Sequence, residues 1–388
     1  MPASSMAEEA VLIAAVSGRA LAVSARRSGY LPLVADFFGD QDTVSAAQAC
    51  EPLEGGFAQG FREHQLVEAL ERLAARHAPI GIVCGTGFED RPHLLARLAQ
   101  RWQLFGNDAD TVAMVKDPHV FAAICRDCDI AHPRVALSPP PAPAGWVVKR
   151  RGGAGGCHVA VSSGKECREG VYYQSRVPGA AVSALLLANG VSAIVLGFSA
   201  QWSCPTLHQP FRYGGAVQPA DIAPGVADRL ADAACRLAGR LSLKGLNSAD
   251  FIVDGDNFWV LEINPRPGAT LDIFETEERS LFALHITACR GDLIVDAPRL
   301  DSAKASAIFY AGDDVIAPAG FEWPKWCADR PSAGVAIKAG EPLCTVHASA
   351  TTAMEARTIA NERLALVETW THHWTHDRMR MKSHEQRA

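Results

Sequence analysis

The chain has 388 residues, of which 48% are apolar, and a formal net charge of −6. This length and composition allow a large core divided over two or three domains, and they exclude a small module held together by disulfides. The negative charge gives no overall attraction for nucleic acid or an anionic membrane, so we expect neither as a partner.

The 11 cysteines, an odd number, are scattered through ordinary apolar segments, which is typical of a reducing compartment. No apolar run approaches the roughly 18 residues of a membrane-spanning helix, and the N-terminal residues lack the basic region of a signal peptide. We therefore expect a cytoplasmic protein.

Residues 1–105 alternate strand and helix patterns, which predicts a small open sheet of parallel strands. The predicted strands are 11–16, 30–36 and 79–84, and the predicted helices are 19–27, 63–78 and 91–100. The loops Ser17-Gly18 and Gly85–Glu89 follow strands and should open on one edge of the sheet, where ligands of such sheets bind. They are candidate substrate contacts, with simple tight connections as the alternative.

The middle of the chain changes character twice. Residues 106–136 look mostly helical, and the proline-rich stretch 138–145 then marks an exposed connection. Five apolar runs between 146 and 200 predict strands of an antiparallel sheet. A helix over 224–242 leads into an acidic hairpin.

Beyond residue 268, a helix over 277–290 is expected to close this unit. Residues 301–370 mix short strands with a helix over 352–363, which predicts a β-rich segment packed on the core. Residues 371–388 form a polar tail.

The acidic hairpin at 247–268 carries the strongest chemical signal. Asp250 lies on its first strand, and Glu262 and Asn264, two residues apart, share one face of the second. A three-residue loop at 255–257 would place Asp250 opposite Glu262, and the prolines after Asn264 would end the strand at a cleft edge. Converging oxygen ligands suit Mg²⁺. An ordinary hairpin with solvated acids is the alternative.

Residues 149–159 read K-R-R-G-G-A-G-G-C-H-V between two predicted strands. Clustered glycines let backbone N–H groups close around an anion, so phosphate is the expected guest. The spacing matches neither the P-loop nor the dinucleotide-binding fingerprint. Lys149 on its strand, and Lys116 at the opening of a helix-forming segment, could each place an ammonium on a phosphate. A flexible hairpin tip and two solvated lysines are the alternatives.

The order of these features resembles the ATP-grasp superfamily of carboxylate-amine and carboxylate-thiol ligases: a lysine, a second lysine, the glycine loop, a strand ending in Pro-Gly, and D-x₁₁-E-I-N-P-R. The resemblance implies an ATP-grasp fold, α/β plus α+β, in which two subdomains clasp ATP. An N-terminal open parallel α/β domain precedes it and a β-rich C-terminal segment follows. The expected boundaries are 1–105, 106–300, 301–370 and the tail 371–388.

The resemblance also implies roles for individual residues. Asp250, Glu262 and Asn264 would hold two Mg²⁺ ions, for which Mn²⁺ could substitute. Arg266 would face the acyl phosphate, acting in catalysis with Lys149. The residues expected at ATP are Lys116 and Lys149 at the phosphates and adenine edge, Gly152, Gly153, Ala154, Gly155 and Gly156 over the β- and γ-phosphates, and Gln174, Arg176 and Val177 at the adenine hinge. Many relatives have glutamate where Gln174 falls, which weakens the hinge assignment.

The implied reaction transfers the γ-phosphoryl group of ATP to a small-molecule carboxylate, after which an amine attacks the acyl phosphate. The stretches 85–89, 211–219, 247–250 and 262–272 resemble the branch containing tyramine-glutamate ligases, which act in making methanofuran- and methylofuran-type cofactors. Arg212 could grip the α-carboxylate of glutamate bidentately, or it could be a surface arginine. The resemblance also allows a homodimer.

Three other functions stay open. A different ATP-grasp amino-acid or peptide ligase would share every motif. A biotin-carboxylase-like enzyme that activates bicarbonate is suggested by the β-rich C-terminal segment. A non-catalytic ATP-binding protein would keep the fold, although the intact set Asp250, Glu262 and Asn264 argues against it.

Overall fold

A computed structural model of the chain describes residues 9–57, 59–164, 169–278, 280–293 and 301–385, with side chains described as far as residue 375. Residues 9–105 form a sheet of five parallel strands in the order β3-β2-β1-β4-β5, with helices packed against it. Its elements are β1 (Ala10–Ala14), α1 (Arg19–Arg27), β2 (Leu31–Asp36), α2 (Gln41–Ala46), β3 (Ala49–Pro52), α3 (Glu63–His77), β4 (Ile82–Cys84), α4 (Pro92–Ala99) and β5 (Leu104–Phe105). The predicted open sheet of parallel strands is confirmed.

The continuous apolar run of β1 follows from its place in the parallel sheet. Every residue of β1 is buried, because helices cover both faces of a parallel sheet and leave no solvated side. Alternate β1 residues therefore enter two different core clusters, with Val11 and Ile13 in one and Leu12 in the other. A continuous apolar run is thus the signature of the strand.

The next part of the chain builds a separate sheet of four strands in the order β6-β9-β7-β8. Its elements are α5 (Ala109–Lys116), α6 (Pro118–Asp127), β6 (Val135–Ala136), β7 (Trp146–Arg150), β8 (Val159–Val161) and β9 (Val171–Ser175). The sequence predicted that all strands between 146 and 200 share one antiparallel sheet, and this was wrong. The strands divide at residues 178–179, where Pro178 and Gly179 separate β9 from the next strand.

A second sheet of eight strands has the order β14-β13-β10-β11-β12-β15-β19-β17. Its first part is built from β10 (Ala180–Asn189), β11 (Ala193–Ser203), β12 (Tyr213–Gln218), α7 (Pro224–Arg240), β13 (Lys244–Asp254), β14 (Asn257–Asn264), α8 (Leu271–Phe274) and α9 (Leu281–Cys289). Strand β10 lies in the middle of this part. Val182, Ala184 and Leu186 pack with α7 on one face, while Leu185 and Leu187 pack with α9 on the other. Burial on both faces fixes the register of the central strands.

The C-terminal segment continues the same sheet. Its elements are β15 (Ala303–Tyr310), β16 (Val315–Ile316), β17 (Cys327–Ala328), β18 (Ala336–Ile337), β19 (Pro342–Ala350) and α10 (Ala353–Glu385). Strand β15 pairs with β12, so this segment extends the eight-stranded sheet and is not an appendage packed on it. The helix predicted over 352–363 continues to Glu385 and so runs through most of the predicted tail. Among the described helices, none is both long enough and apolar enough to cross a bilayer.

His285 on α9 ties the two large sheets together. Its side chain is fully buried, Nδ1 accepts a hydrogen bond from the Leu246 N–H at 2.8 Å, and Nε2 lies 3.1 Å from the Phe105 carbonyl oxygen. The carbonyl requires the Nε2–H tautomer of a neutral ring. Burial lowers the pKa of His285 to about 4.

This buried imidazole predicts acid sensitivity. An unfolded histidine titrates near pH 6.5, so between about pH 6.5 and 4 the unfolded chain takes up a proton that folded His285 refuses, and stability falls as pH drops. We expect His285→Gln to be less stable at pH 7.5 but to lose less stability down to pH 5. Urea unfolding at several pH values measures this, with exposed His64→Gln as the control that keeps the wild-type slope. An unchanged slope in His285→Gln would contradict the prediction.

Candidate active site

The hairpin of β13 and β14 brings Asp250 and Glu262 together. Asp254 pairs with Asn257, so the turn has two residues and not the predicted three. A bulge next to Asp250 adds one residue to β14 and restores the pairing of Asp250 with Glu262. The predicted pairing is therefore confirmed, although the turn length was wrong.

A hydrogen-bond network surrounds these carboxylates. Asp250 accepts the Ser183 hydroxyl at 2.6 Å through Oδ1 and the Asn264 amide at 2.9 Å through Oδ2. The Lys116 ammonium lies 3.3 Å from Glu262 Oε2 and 3.0 Å from Asn264 Oδ1. The predicted metal residues and the first predicted lysine thus form one cluster.

The two carboxylates respond differently to this environment. Burial, followed by the charge of Glu262, raises the pKa of Asp250 to about 6. Burial would also raise the pKa of Glu262, but Lys116, Lys149 and His158 outweigh it and lower that pKa to about 2. Facing carboxylates of this kind favour a bound cation, because a cation relieves their repulsion.

The donor set fits a hard divalent cation. Two carboxylates and the Asn264 amide oxygen are the ligand types that Mg²⁺ accepts, with phosphates and water completing its shell. Within the described ranges, no group of three or more His, Cys, Asp or Glu side chains could hold a metal. A metal here would consequently depend on substrate oxygens as well as on the protein.

The glycine loop lies over this cluster and touches two other parts of the chain. At Gly152, where φ is 64°, a Cβ would fall 2.4 Å from the Glu89 carbonyl oxygen. At Gly156, where φ is 71°, it would fall 1.8 Å from the Phe211 carbonyl oxygen. Only glycine permits both the conformation and the close approach.

Between the loop and the hairpin lies a narrow cleft. Its cavity of about 20 Å³ has room for about one water. Its lining includes Lys116, Gly152, Gly153, His158, Gln174 and Glu262. A ligand as large as a nucleotide would need a wider cleft than this one.

The two predicted lysines reach the cluster from different elements. Lys116 ends α5, and α6 begins after the capping residue Asp117, so Lys116 does not open a helix as the sequence suggested. Lys149 lies on β7 with 7% exposure, and burial lowers its pKa. Glu262 acts on both lysines, which explains why the protein tolerates them in one buried region.

Arg266 is held by a carboxylate from the N-terminal domain. Its Nε donates to Glu89 Oε1 at 2.6 Å, and Glu89 Oε2 accepts the N–H groups of Gly87 and Phe88 at 2.8 and 3.1 Å. Burial would raise the pKa of Glu89, but Arg266 and Lys116 lower it. The 85–89 loop, predicted as a substrate contact, therefore positions an arginine beside the candidate metal site.

The remaining predicted residues vary in their surroundings. Gln174 is buried on β9, 3.4 Å from the His132 ring. Arg176 is exposed, and its backbone N–H donates to the Gly145 carbonyl oxygen at 2.7 Å. Val177 follows it in a half-buried position. The adenine roles of these residues stay predictions.

Arg212 does not line the cleft itself but lies against the glycine loop, where a Cβ on Gly156 would fall 3.5 Å from the Arg212 Cα. Its guanidinium stacks 3.8 Å from the Tyr310 ring centroid, and it donates to the Cys204 and Gly340 carbonyl oxygens at 3.0 and 3.3 Å. These contacts anchor the loop that precedes β12 to the C-terminal segment. Its predicted role as a grip for a substrate carboxylate stays a prediction.

The sequence analysis did not predict three features of the site. They are the hydrogen bond from Ser183 to Asp250, the position of His158 in the lining of the cleft, and the ion pair of Glu89 with Arg266. His158 carried a usable signal, because it directly follows the glycine loop. The other two depend on contacts between residues distant in the chain, which no local pattern reveals.

Comparisons with known proteins bear on the fold. Residues 127–270 match the family model of the ATP-grasp domain. A biotin carboxylase complex with β,γ-ATP from Campylobacter jejuni has a TM-score of 0.72 and 14% identity, covering 93% of this chain and 91% of that one. The L-amino acid ligase from Bacillus licheniformis has a TM-score of 0.68 and 14% identity, covering 92% and 96%. These matches confirm the predicted ATP-grasp fold.

Curated relatives match a smaller part of the chain. A formate-dependent phosphoribosylglycinamide formyltransferase from Corynebacterium efficiens is 29% identical over 194 residues, which is 45% of this chain and 48% of that protein. The chain spans less than half the length of the curated relatives it matches here.

The buried pair of Glu89 and Arg266 predicts a stability effect. The two side chains are 3% and 14% exposed. Glu89→Gln would leave the guanidinium without its counter-charge, so we expect the free energy of unfolding to fall by roughly 2–4 kcal/mol. Glu51→Gln, which removes a more exposed ion pair with Arg72, should change it little. Equal effects of the two substitutions in urea unfolding would contradict this account.

Proposed function

We propose that the protein is an ATP-dependent carboxylate–amine ligase that forms C–N bonds through an acyl phosphate and releases ADP. One observation carries the proposal. The facing carboxylates Asp250 and Glu262 lie in reach of Lys116, under a glycine loop and beside Arg266. This combination brings close together groups that would bind a triphosphate, a divalent cation and a second anion.

The chain's own residues would divide the work as follows. Lys116, Lys149 and the N–H groups of 152–156 would bind and orient the triphosphate. Asp250, Glu262 and Asn264 would hold two Mg²⁺ ions, for which Mn²⁺ could substitute. When bound, the metal would neutralise charge on the phosphate oxygens.

Arg266 would orient the accepting carboxylate. Nε of Arg266 already donates to Glu89. A substrate anion would therefore contact the two terminal nitrogens of Arg266, which can bind two oxygens side by side. A carboxylate oxygen then attacks the γ-phosphorus, and the bond to ADP breaks. The amine nitrogen next attacks the acyl carbon, phosphate leaves and the nitrogen releases a proton. The products are an amide, ADP and phosphate.

The narrow cleft supports an acyl phosphate route. An acyl phosphate hydrolyses readily, so an enzyme that forms one must exclude water until the amine arrives. The glycine loop packs on Glu89 and Phe211 and leaves space for about one water. Closure of this loop over the substrates would provide the exclusion.

We further propose L-glutamate as the carboxylate and an amine such as tyramine as the acceptor, in methylofuran-type cofactor biosynthesis. The resemblance of the stretches 85–89, 211–219, 247–250 and 262–272 to this branch supports the proposal. The curated relative also joins a carboxylate-derived group to a nitrogen, since its name records a formate-dependent formyl transfer to phosphoribosylglycinamide. The B. licheniformis neighbour is named as an L-amino acid ligase.

A bicarbonate-activating enzyme is the second candidate, and one observation favours it. The biotin carboxylase of C. jejuni aligns over 93% of this chain, including the C-terminal segment that continues the central sheet. Bicarbonate-dependent ADP release without an amine would distinguish this activity from the ligase.

The test is a substrate screen with matched variants. Purified protein with ATP, Mg²⁺ and L-glutamate should release ADP and form an amide with at least one amine of a panel, detected by product mass. Glu262→Gln should abolish phosphoryl transfer, because it removes a metal ligand while keeping the shape. Asp254→Asn, an exposed acid on the same hairpin, should retain activity. Normal turnover by Glu262→Gln would refute the metal assignment.

The glycine loop gives a separate prediction for stability. Gly156→Ala would drive a Cβ into the Phe211 carbonyl, so the loop could not keep its packed position and the free energy of unfolding should fall by about 1–3 kcal/mol, as expected from overpacking. Gly145→Ala is the matched control, since Gly145 also has positive φ but has open space around a Cβ. Urea unfolding measures both. Equal losses would show that backbone strain, and not the contact with Phe211, is responsible.

A further inference from the structure

Lys116 contacts the same oxygen atoms that would bind a metal. Its Nζ lies 3.0 Å from Asn264 Oδ1 and 3.3 Å from Glu262 Oε2, and its side chain is 7% exposed. The amide of the same asparagine donates to Asp250 at 2.9 Å. An ammonium and a metal ion would compete for this position, because both would use the same two oxygen atoms and they carry charge of the same sign.

The lysine can leave without disturbing the fold. Its backbone lies at the junction of α5 and α6, where the Asp117 side chain accepts the N–H groups of His119 and Val120. Four rotatable methylenes separate that fixed backbone from Nζ. The ammonium can therefore change partners while the helices stay in place.

The cleft and its surroundings already hold several positive charges without any ligand. Lys116, Lys149 and Arg266 act on the carboxylates of Asp250, Glu262 and Glu89, and Arg150 also lines the cleft. A metal ion arriving alone would add two positive charges beside a buried ammonium, which is unfavourable in a region of low dielectric. A triphosphate arriving first would instead offer Lys116 a new anionic partner.

We propose that Lys116 occupies the metal position in the nucleotide-free protein, so that nucleotide binding draws it away and thereby creates the metal site. The proposal rests on the nucleotide site of the proposed function. It makes binding ordered: free divalent cation binds poorly, and nucleotide binds first or brings its metal with it.

The test is Mn²⁺ binding to the full chain without nucleotide, followed by electron paramagnetic resonance. Lys116→Met and Lys116→Gln should bind Mn²⁺ at least about tenfold more tightly than wild type, the size expected when a competing charged hydrogen bond is lost. Lys149→Met is the matched control, because it removes a second ammonium that acts on Glu262 through its charge. It should tighten binding much less. Glu262→Gln should weaken Mn²⁺ binding in every background.

Two kinds of contrary result are possible, and they distinguish failure of this proposal from failure of the proposed function. Wild-type affinity in both Lys116 variants, or equal tightening by Lys149→Met, would overturn the ordered binding while leaving the ligase proposal intact. No effect of Glu262→Gln in any background would remove the metal site itself, and the proposed function with it.

A measurement on the unmodified protein covers the case in which the variants fold poorly. Acetic anhydride labelling of Lys116, read by mass spectrometry, should change when ADP is added without metal and should stay constant when Mg²⁺ is added alone. A change of equal size with Mg²⁺ alone would overturn the proposal.

Discussion

Asp250 and Glu262 face each other across the two strands of a hairpin, and the rest of the site depends on this pair of like charges. Two half-buried carboxylates repel each other, and the fold keeps them ionisable by placing cations around them. Lys116 arrives from the end of a helix and Lys149 from a separate sheet. The need to balance one pair of charges thus explains why several elements converge on this hairpin.

The same constraint links the domains. Arg266 follows the hairpin directly, and its counter-charge Glu89 comes from a loop of the parallel sheet. The backbone of that loop also supports Gly152. Any outward movement of the glycine loop therefore changes the contact with Glu89, the residue that holds Arg266. The position of the glycine loop and the position of Arg266 are therefore coupled through the segment 85–89. Closure of the loop could in this way change how Arg266 holds the reacting carboxylate.

A second buried ion cluster joins the N-terminal domain to the rest of the chain. Arg19, at the start of α1, binds Asp272 through two hydrogen bonds of 2.6 and 2.7 Å and Asp329 at 3.0 Å. Burial opposes ionisation of Asp272, yet Arg19 and His347 hold its pKa well below the usual range. These two acids and two bases come from three parts of the chain. The cluster therefore ties those three parts together.

Local sequence patterns predicted the acidic hairpin, but they did not predict which strands distant in the chain pair with each other. The helix over 19–27, the pairing of Asp250 with Glu262 and the end of β14 at Asn264 follow from periodicity, spacing and proline, which act within a few residues. The division of the middle strands between two sheets, and the pairing of β15 with β12, depend on contacts across many residues. Residue type alone could not show that Arg212 stacks on Tyr310, because an arginine serves an anion or an aromatic ring equally well.

The hairpin bulge shows how the local and distant contributions combine. A two-residue turn alone would pair Asp250 with Leu261 and turn Glu262 to the other face, because side chains alternate along a strand. The extra residue in β14 shifts the register by one and returns Glu262 to the face of Asp250. A bulge interrupts the ladder and has a cost in backbone hydrogen bonding. Its position beside the acidic pair indicates that the alignment of the two carboxylates, and not the regularity of the sheet, determines the local structure.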